Sequence, residues 1–375
     1  MDLLSLARTN RRRVLRYLLR SGGGSRIEIA KNTHISPASL TEISAKLLRQ
    51  GIVRVQEKAS NGKRGRPPAI LEISSERALV AVTELDRGTA SAHLVGPRGK
   101  VCGTETKRVT KRSFKDHLTA QKKALSAVCR GKWKNVRAIS IVNLGISDRQ
   151  RGVLLIDSRN GWEQEPILGA FRCYGKPLFM QNGSRLRALA ENWYGAAQEV
   201  DDFLYFHLDT GIGGAIVLDG TLLEGPSHGA GEFGHLLTDS EESCACGERG
   251  CLQSVASADA IVRSIGKKRC ADFSGAWELF ERRDKRTLRI FAEAIRAIAR
   301  AIQSMAIVIG PTTVLLGGSM VEHTNGAIVS HISEALARTR KTFIGPLDLR
   351  RCALRDRQAT TVGAAAYALQ ELDID

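Results

Sequence analysis

The stretch Gly229-Ala230-Gly231-Glu232-Phe233-Gly234-His235, followed after eight residues by Cys244-Ala245-Cys246-Gly247-Glu248-Arg249-Gly250-Cys251-Leu252, carries the densest chemistry in the chain. His235, Cys244, Cys246 and Cys251 put one imidazole and three thiols within 17 positions. That is a closed tetrahedral donor set, suited to structural Zn2+, with no ligand position left for the water that catalytic zinc needs. Donors this close together are expected to hold metal rather than to be neighbouring buried or reactive cysteines. Cys102, Cys129, Cys173, Cys270 and Cys352 stand alone and are expected to be packing residues.

On either side, strand-like runs alternate with helical ones, the pattern of an α/β fold. Residues 79–85 and 90–95 read as a hairpin, 136–142 as a buried strand and 177–180 as another, with a helix over 186–194. Phe203–Leu208 and residues 214–218 form a second hairpin, joined by Asp209-Thr210-Gly211-Ile212-Gly213-Gly214. A long amphipathic helix over 288–309 precedes a strand over 313–316, the turn Gly317-Gly318 and a final helix over 362–369. Glycines at such turns let backbone approach a phosphate, although most glycine-rich hairpins are ordinary turns.

The first 75 residues have a different character. Leu6, Val14, Leu15, Leu18 and Leu19 repeat every three to four positions, which predicts a helix ended by Ser21-Gly22-Gly23-Gly24. A short second helix is expected to turn Ile27, Ile29 and Ala30 inward, and Asn32-Thr33-His34-Ile35 makes a turn. Ser36 caps a third helix with Pro37 at its first position, where a missing N–H costs nothing. Leu40, Ile43, Leu47 and Leu48 form its inward stripe, and Gly51 stops it. Strands over 52–55 and 69–73 flank the basic tip Asn61-Gly62-Lys63-Arg64-Gly65-Arg66-Pro67. Three helices and a two-stranded wing make a winged helix-turn-helix, whose third helix enters the major groove of DNA. Ser36, Pro37, Ala38, Ser39 and Thr41 are its candidate DNA contacts, with Glu42 beside them, and Lys63, Arg64 and Arg66 suit phosphates or the minor groove.

Charge supports this reading. The 375-residue chain carries a net +17, and residues 1–75 hold 15 Lys and Arg against 5 Asp and Glu. More than half of the excess therefore sits in a fifth of the chain, on the fold that would meet a polyanion. No apolar run reaches the ~20 residues a membrane helix needs, and no secretory signal opens the chain. A cytoplasmic protein without membrane insertion is expected, its cysteines reduced or metal-bound.

These residues together resemble the ROK family (repressors, open reading frames and sugar kinases) over nearly the whole chain. The segments 229–235 and 244–252 are similar to its Ala-Gly-Glu-x-Gly-His and Cys-x-Cys-Gly-x-x-Gly-Cys-Leu signatures. Ala190-Glu191-Asn192-Trp193-Tyr194-Gly195, Thr210-Gly211-Ile212-Gly213 and Gly317-Gly318 also fit. The resemblance implies a winged helix-turn-helix over 1–75, then a two-lobed, actin-like (ribonuclease H-like) ATPase fold. Its small lobe would span 76–190 with the last helix, 356–375, and its large lobe, 191–355, would hold the zinc site.

By the same resemblance, Asn182, Glu232, His235 and Gln253 would contact a sugar, His235 while also ligating zinc. The departures are specific. The kinases of the family follow that Asn with Asp, the general base; here the position is Gly183, so no catalytic residue is assigned. Loss of a general base typically costs about 10²–10⁴-fold. Leu85-Asp86-Arg87-Gly88-Thr89 replaces Asp-x-Gly-Gly-Thr, Gln253 stands where a Glu is usual, and Val142-Asn143-Leu144-Gly145 occupies the Pro-Gly region. Thr210, Gly211 and Gly213 then belong to a degenerate phosphate loop.

The expected function is a sequence-specific DNA-binding regulator, not an enzyme. It would repress carbohydrate uptake or catabolism genes as a homodimer or homotetramer, controlled by a sugar or sugar derivative in the non-catalytic cleft. Two alternatives stay open: a ligand-independent DNA-binding regulator with a structural kinase-like body, and an active sugar kinase with a regulatory arm.

Overall fold

Helix α1 (Leu3–Ser21) opens a computed structural model that describes residues 3–56, 69–74, 78–86, 88–109, 113–157, 160–338 and 345–372. The wing-tip residues Lys63, Arg64 and Arg66, and Arg87 of the first loop, lie outside the described residues. After α1 come β1 (Gly24–Ser25), α2 (Arg26–Thr33), α3 (Pro37–Arg49), β2 (Val53–Gln56) and β3 (Ile70–Ile73). Ser25 and Glu28 form a reciprocal capping box at the start of α2. Ser36 accepts the N–H of Ser39 at 3.2 Å with Pro37 at the first position of α3. Gly51, at φ 70°, takes the left-handed conformation that stops α3. The strands form an antiparallel sheet in the order β1-β3-β2, so the wing has a third, two-residue strand that the sequence reading lacked.

Two expectations about this module need correction. Ile27 is 80% exposed, because it lies two residues, about 200° of helix, from the fully buried Ile29. Leu6 is also exposed. In its place α1 buries Arg11, Arg12 and Arg16: Arg11 donates from Nε to the carbonyl of Leu369 at 3.0 Å and from Nη2 to Gln50 at 2.7 Å, while the more exposed Arg8 pairs with Glu371 at 3.3 Å. Gln50 is the C-cap of α3, so one guanidinium ties the third helix to the end of the chain's last helix.

Next come β4 (Leu79–Asp86), β5 (Thr89–Val95), β6 (Val101–Arg108), α4 (Phe114–Val128), β7 (Val136–Asn143), β8 (Ile146–Asp148), β9 (Val153–Asp157), β10 (Trp162–Glu165) and β11 (Leu178–Asn182). Helix α5 (Gly183–Tyr194) follows, then β12 (Phe203–Leu208), β13 (Ile212–Leu218), β14 (Thr221–Leu222), α6 (Leu252–Ala256), α7 (Ala258–Ile265), α8 (Phe273–Glu281) and α9 (Lys285–Ile309). The chain ends with β15 (Thr313–Gly317), α10 (Ser319–His323), α11 (Ala327–Ala337), β16 (Asp348–Arg351) and α12 (Asp356–Glu371).

Two five-stranded sheets share one plan. The first runs β11-β7-β4-β5-β6 and the second β14-β13-β12-β15-β16. In each, three antiparallel strands are joined to two parallel ones, so both read 3-2-1-4-5 in their own numbering. This is the duplicated layout of an actin-like fold. The chain divides into two compact units, Met1–Leu186 with Thr361–Asp375, and Arg187–Thr360. It passes from one to the other within α5 and returns within α12.

In the first unit a core of Ala81, Leu94, Ile139, Ile141, Phe171 and Met180 lies under α4. In the second, α6 to α9 cover the sheet, with Phe206, Phe233, Trp277, Phe291 and Ile298 at the centre. Helix α9 is capped by Asp284 and ended by Gly310 at φ 75°. Cys129 and Cys270 are buried packing residues as expected, whereas Cys102 and Cys173 are exposed. No described helix is long and apolar enough to cross a membrane.

Candidate metal centre, cleft loops and DNA-reading helix

Segment 229–235 lies directly on β13, and its glycines explain how. A Cβ on Gly234 would come within 2.2 Å of the Ile212 carbonyl, and one on Gly231, at φ 92°, within 2.9 Å of the Gly214 carbonyl. On β13 itself, a Cβ on Gly214 would meet the Phe233 ring at 2.2 Å. Phe233 is buried against Phe206, with ring centres 4.5 Å apart. Gly214→Ala is therefore expected to cost roughly 1–3 kcal/mol, as overpacked cores do. A lower urea midpoint with an unchanged slope measures this; an unchanged midpoint contradicts it.

Docked this way, the loop ends in a one-turn helix that brings His235 to the cysteines. Its Nδ1 is 3.7 Å from Cys251 Sγ and 4.0 Å from Cys244 Sγ, and Cys246 Sγ is 3.7 Å from Cys251 Sγ. All four donor atoms lie within 4.8 Å of one another. Thiolates about 2.3 Å from a tetrahedral ion stand about 3.7 Å apart, so the cluster is of the size that could hold a metal ion. Backbone bonds frame it: Thr238 N–H donates to Gly250 at 2.7 Å and Cys244 N–H to Glu248 at 2.8 Å.

The thiols show why a cation belongs there. Burial and the neighbouring sulfurs push Cys251 up to about 12. Burial works against ionisation of Cys244 too, but the Cys246 N–H and the Gln253 amide outweigh it and lower its pKa. Gln253 Nε2 donates to Cys244 Sγ at 3.1 Å, so its amide serves the metal cluster.

The other expected ligand contacts are placed as follows. Glu232 is half-buried and gives its carbonyl to the His235 N–H at 3.0 Å. Asn182, in the other unit, ends β11: its Oδ1 accepts the Ser184 N–H at 2.8 Å, and its Nδ2 donates to the Gly145 carbonyl at 3.1 Å. Asn143 donates to the same carbonyl at 2.7 Å. Gly183 is the first residue of α5 and carries no side chain.

Thr210, Gly211 and Gly213 form the β12–β13 hairpin, with Asp209 N–H bonded to the Gly211 carbonyl at 3.0 Å. Asp209 accepts the Ser319 hydroxyl, which follows Gly317-Gly318, so the two glycine-rich turns meet. His207 stands 3.6 Å from Asp209 and 3.4 Å from Asp356, and Arg187 is 2.6 Å from Asp356. Burial favours the neutral acid at Asp209, yet His207, Ser319 and the Thr210 N–H hold it well below the usual carboxylate range. The sequence reading missed this group. The one available signal was period-two alternation, which puts His207 on the same face of β12 as Tyr205.

At the start of α3, Ser36, Pro37, Ala38 and Thr41 are exposed and Ser39 half-buried. The Thr41 hydroxyl donates to the Pro37 carbonyl at 2.8 Å, and Glu42 pairs with Lys46 at 3.2 Å, which offsets its charge. Arg26 donates to Ser44 at 2.9 Å, locking α2 to α3.

Residues 85–371 match the ROK family. The xylose repressor of Caldicellulosiruptor bescii is 25% identical over 318 residues, which cover 80% of this chain and 78% of that one. The glucokinase of Thermotoga maritima is 29% identical over 201 residues, 48% of this chain and 63% of its own. A solved ROK family transcriptional regulator, described as a homolog of the Escherichia coli MLC protein, superposes with a TM-score of 0.82 at 22% identity over 98% of both chains. A match over that much of the sequence settles the family: the chain belongs to the ROK family.

Proposed function

We propose that this chain is a DNA-binding transcriptional repressor of carbohydrate uptake or catabolism genes, tuned by a sugar or sugar derivative and devoid of kinase activity. The observation that carries the reading is the pairing, in one chain, of a winged helix with an exposed reading face and a kinase-like fold with Gly183 at the base position. The repressor relative, matched over 80% of this chain, supports it; the glucokinase relative is matched over 48%. Residues 1–75 are the DNA-binding domain in this reading, 76–190 with 356–375 the small lobe, and 191–355 the large lobe. Ser36, Pro37, Ala38, Ser39, Thr41, Lys63, Arg64 and Arg66 are the proposed DNA contacts, and Asn182, Glu232, His235 and Gln253 the proposed sugar contacts.

Zn2+ is the ion the donor set favours, since three thiolates and an imidazole suit a soft tetrahedral cation. Held by His235, Cys244, Cys246 and Cys251, it supplies rigidity to the loop that presents Glu232. The protein works in the cytoplasm as a homodimer or homotetramer, so that two reading helices address two half-sites.

Selection of duplexes from a randomised pool tests this directly. Enrichment of one defined sequence is expected; recovery of unrelated duplexes in proportion to input contradicts it. With ATP, Mg2+ and a panel of hexoses, no ADP above the hydrolysis blank is expected, and steady turnover overturns the non-catalytic reading. One finding favours a ligand-independent body: the amides of Asn182 and Gln253 already serve the chain's own atoms. A specific sugar that raises the melting temperature excludes that version.

A further inference from the structure

The positive excess of the kinase-like body is not spread evenly. Residues 263–300 carry eleven Lys and Arg against five Asp and Glu, a net +6 of the +7 found over residues 76–375. They occupy the end of α7, all of α8 and the first half of α9, in the second unit. One buried apolar cluster, including Ile261, Ile265, Phe273, Trp277 and Phe291, fixes these helices together. Polar bonds bring their charged ends to one edge: Arg269 meets Asp284 at 2.8 Å, and Arg286 donates to the Ser264 carbonyl at 2.8 Å.

The acids there are mostly occupied. Asp284 caps α9 and Asp272 caps α8, while Glu281 accepts the Trp277 indole N–H at 3.0 Å. Lys267, Lys268, Arg283, Lys285 and Arg289 are exposed and have no carboxylate partner among the described residues. Lys285 and Arg286 also sit in the first turn of a 25-residue helix whose N-cap acid, Asp284, is taken up by Thr287 and Arg269.

We propose that this edge is a second phosphate-binding face, which holds the backbone of duplex DNA outside the segment read by the winged helix. The proposal rests on the DNA-binding reading above. Of the five exposed, unpartnered cations, Arg283 and Arg289 are arginines, whose fork suits phosphate oxygens. No large apolar side chain is exposed between residues 238 and 306, so the face lacks the anchors of a bilayer-binding surface. Its contribution is sequence-independent and salt-sensitive.

The test compares the full-length, metal-loaded protein with the variant Lys267→Glu/Lys268→Glu/Lys285→Glu. The probes are a duplex of about 20 base pairs carrying the selected sequence and one of about 60, long enough to reach a second face. Each phosphate contact adds about 0.9 to the slope of log affinity against log salt. For the wild type, the long duplex is expected to give a slope steeper by roughly two to three such contacts. In the variant the long-duplex slope falls to the short-duplex value, and the short-duplex slope does not move. The neutral variant Lys267→Gln/Lys268→Gln/Lys285→Gln shows the same loss in smaller degree and controls for misfolding by its melting temperature.

Equal wild-type slopes on both duplexes overturn the proposal alone and leave the winged-helix reading intact. So does variant-sensitive binding to phosphatidylglycerol vesicles with unchanged duplex slopes. Failure to bind either duplex removes both readings.

Discussion

Cys251→Ser is expected to lower the stability of the metal-loaded protein by on the order of 5 kcal/mol, because it takes the buried ligand out of a closed set. For a chain of this size that is a fall in melting temperature of roughly 10–20 °C. Cys251 is near both a second thiol and the imidazole, it starts α6, and its backbone bridges Leu237, so the metal and the fold share one residue. Its loss frees both the loop that carries Glu232 and the first turn of α6. Dialysing the wild type against a strong chelator reproduces the fall, and the same treatment leaves the variant where it was, since one site cannot be lost twice. Scanning calorimetry with and without chelator measures this. A wild-type melting temperature indifferent to chelator contradicts the assignment of a structural metal.

Ala38→Asp is expected to cost about 100-fold in DNA affinity while leaving the fold untouched or slightly steadier. Ala38 is exposed in the first turn of α3. A carboxylate there suits the positive end of the helix, so stability does not suffer. The same carboxylate in the major groove faces two rows of phosphates, and desolvating it beside them is strongly unfavourable. The two readouts therefore move in opposite directions. Fluorescence anisotropy on the selected duplex and a thermal melt on the same sample separate them. Unchanged affinity places DNA against a different face of the module.

Much of this was legible before any coordinates. The cap at Ser36 and the stop at Gly51 are local signals, read from a few neighbouring residues, and they delimit α3 to within a residue or two. The metal cluster was legible because its ligands are near in sequence and their chemistry is distinctive. Ile27 was misread because two apolar residues two apart cannot share a helix face, and only packing decides which of them is buried. The matching 3-2-1-4-5 sheets were not legible, since strand order depends on pairings across long separations. The same limit hid the group around Asp209: Asp356 comes from the far end of the chain, and nothing near either residue marks the other. The glycines of 229–235 were recognised as a signature, but their physical role, to let one backbone lie against another, came only with the contact to β13.

The claim on which all of this turns is that the kinase-like body senses a small molecule for the reading head and does not phosphorylate it. The selected duplex, titrated with metal-loaded protein at fixed salt in the presence and absence of each sugar, with ATP and Mg2+ supplied and ADP monitored in the same samples, addresses both halves at once. One sugar is expected to shift the duplex affinity at least tenfold, a coupling within the ordinary allosteric range of about 1–3 kcal/mol, while ADP stays at the blank. Steady ADP release with a duplex affinity that no sugar moves would contradict it.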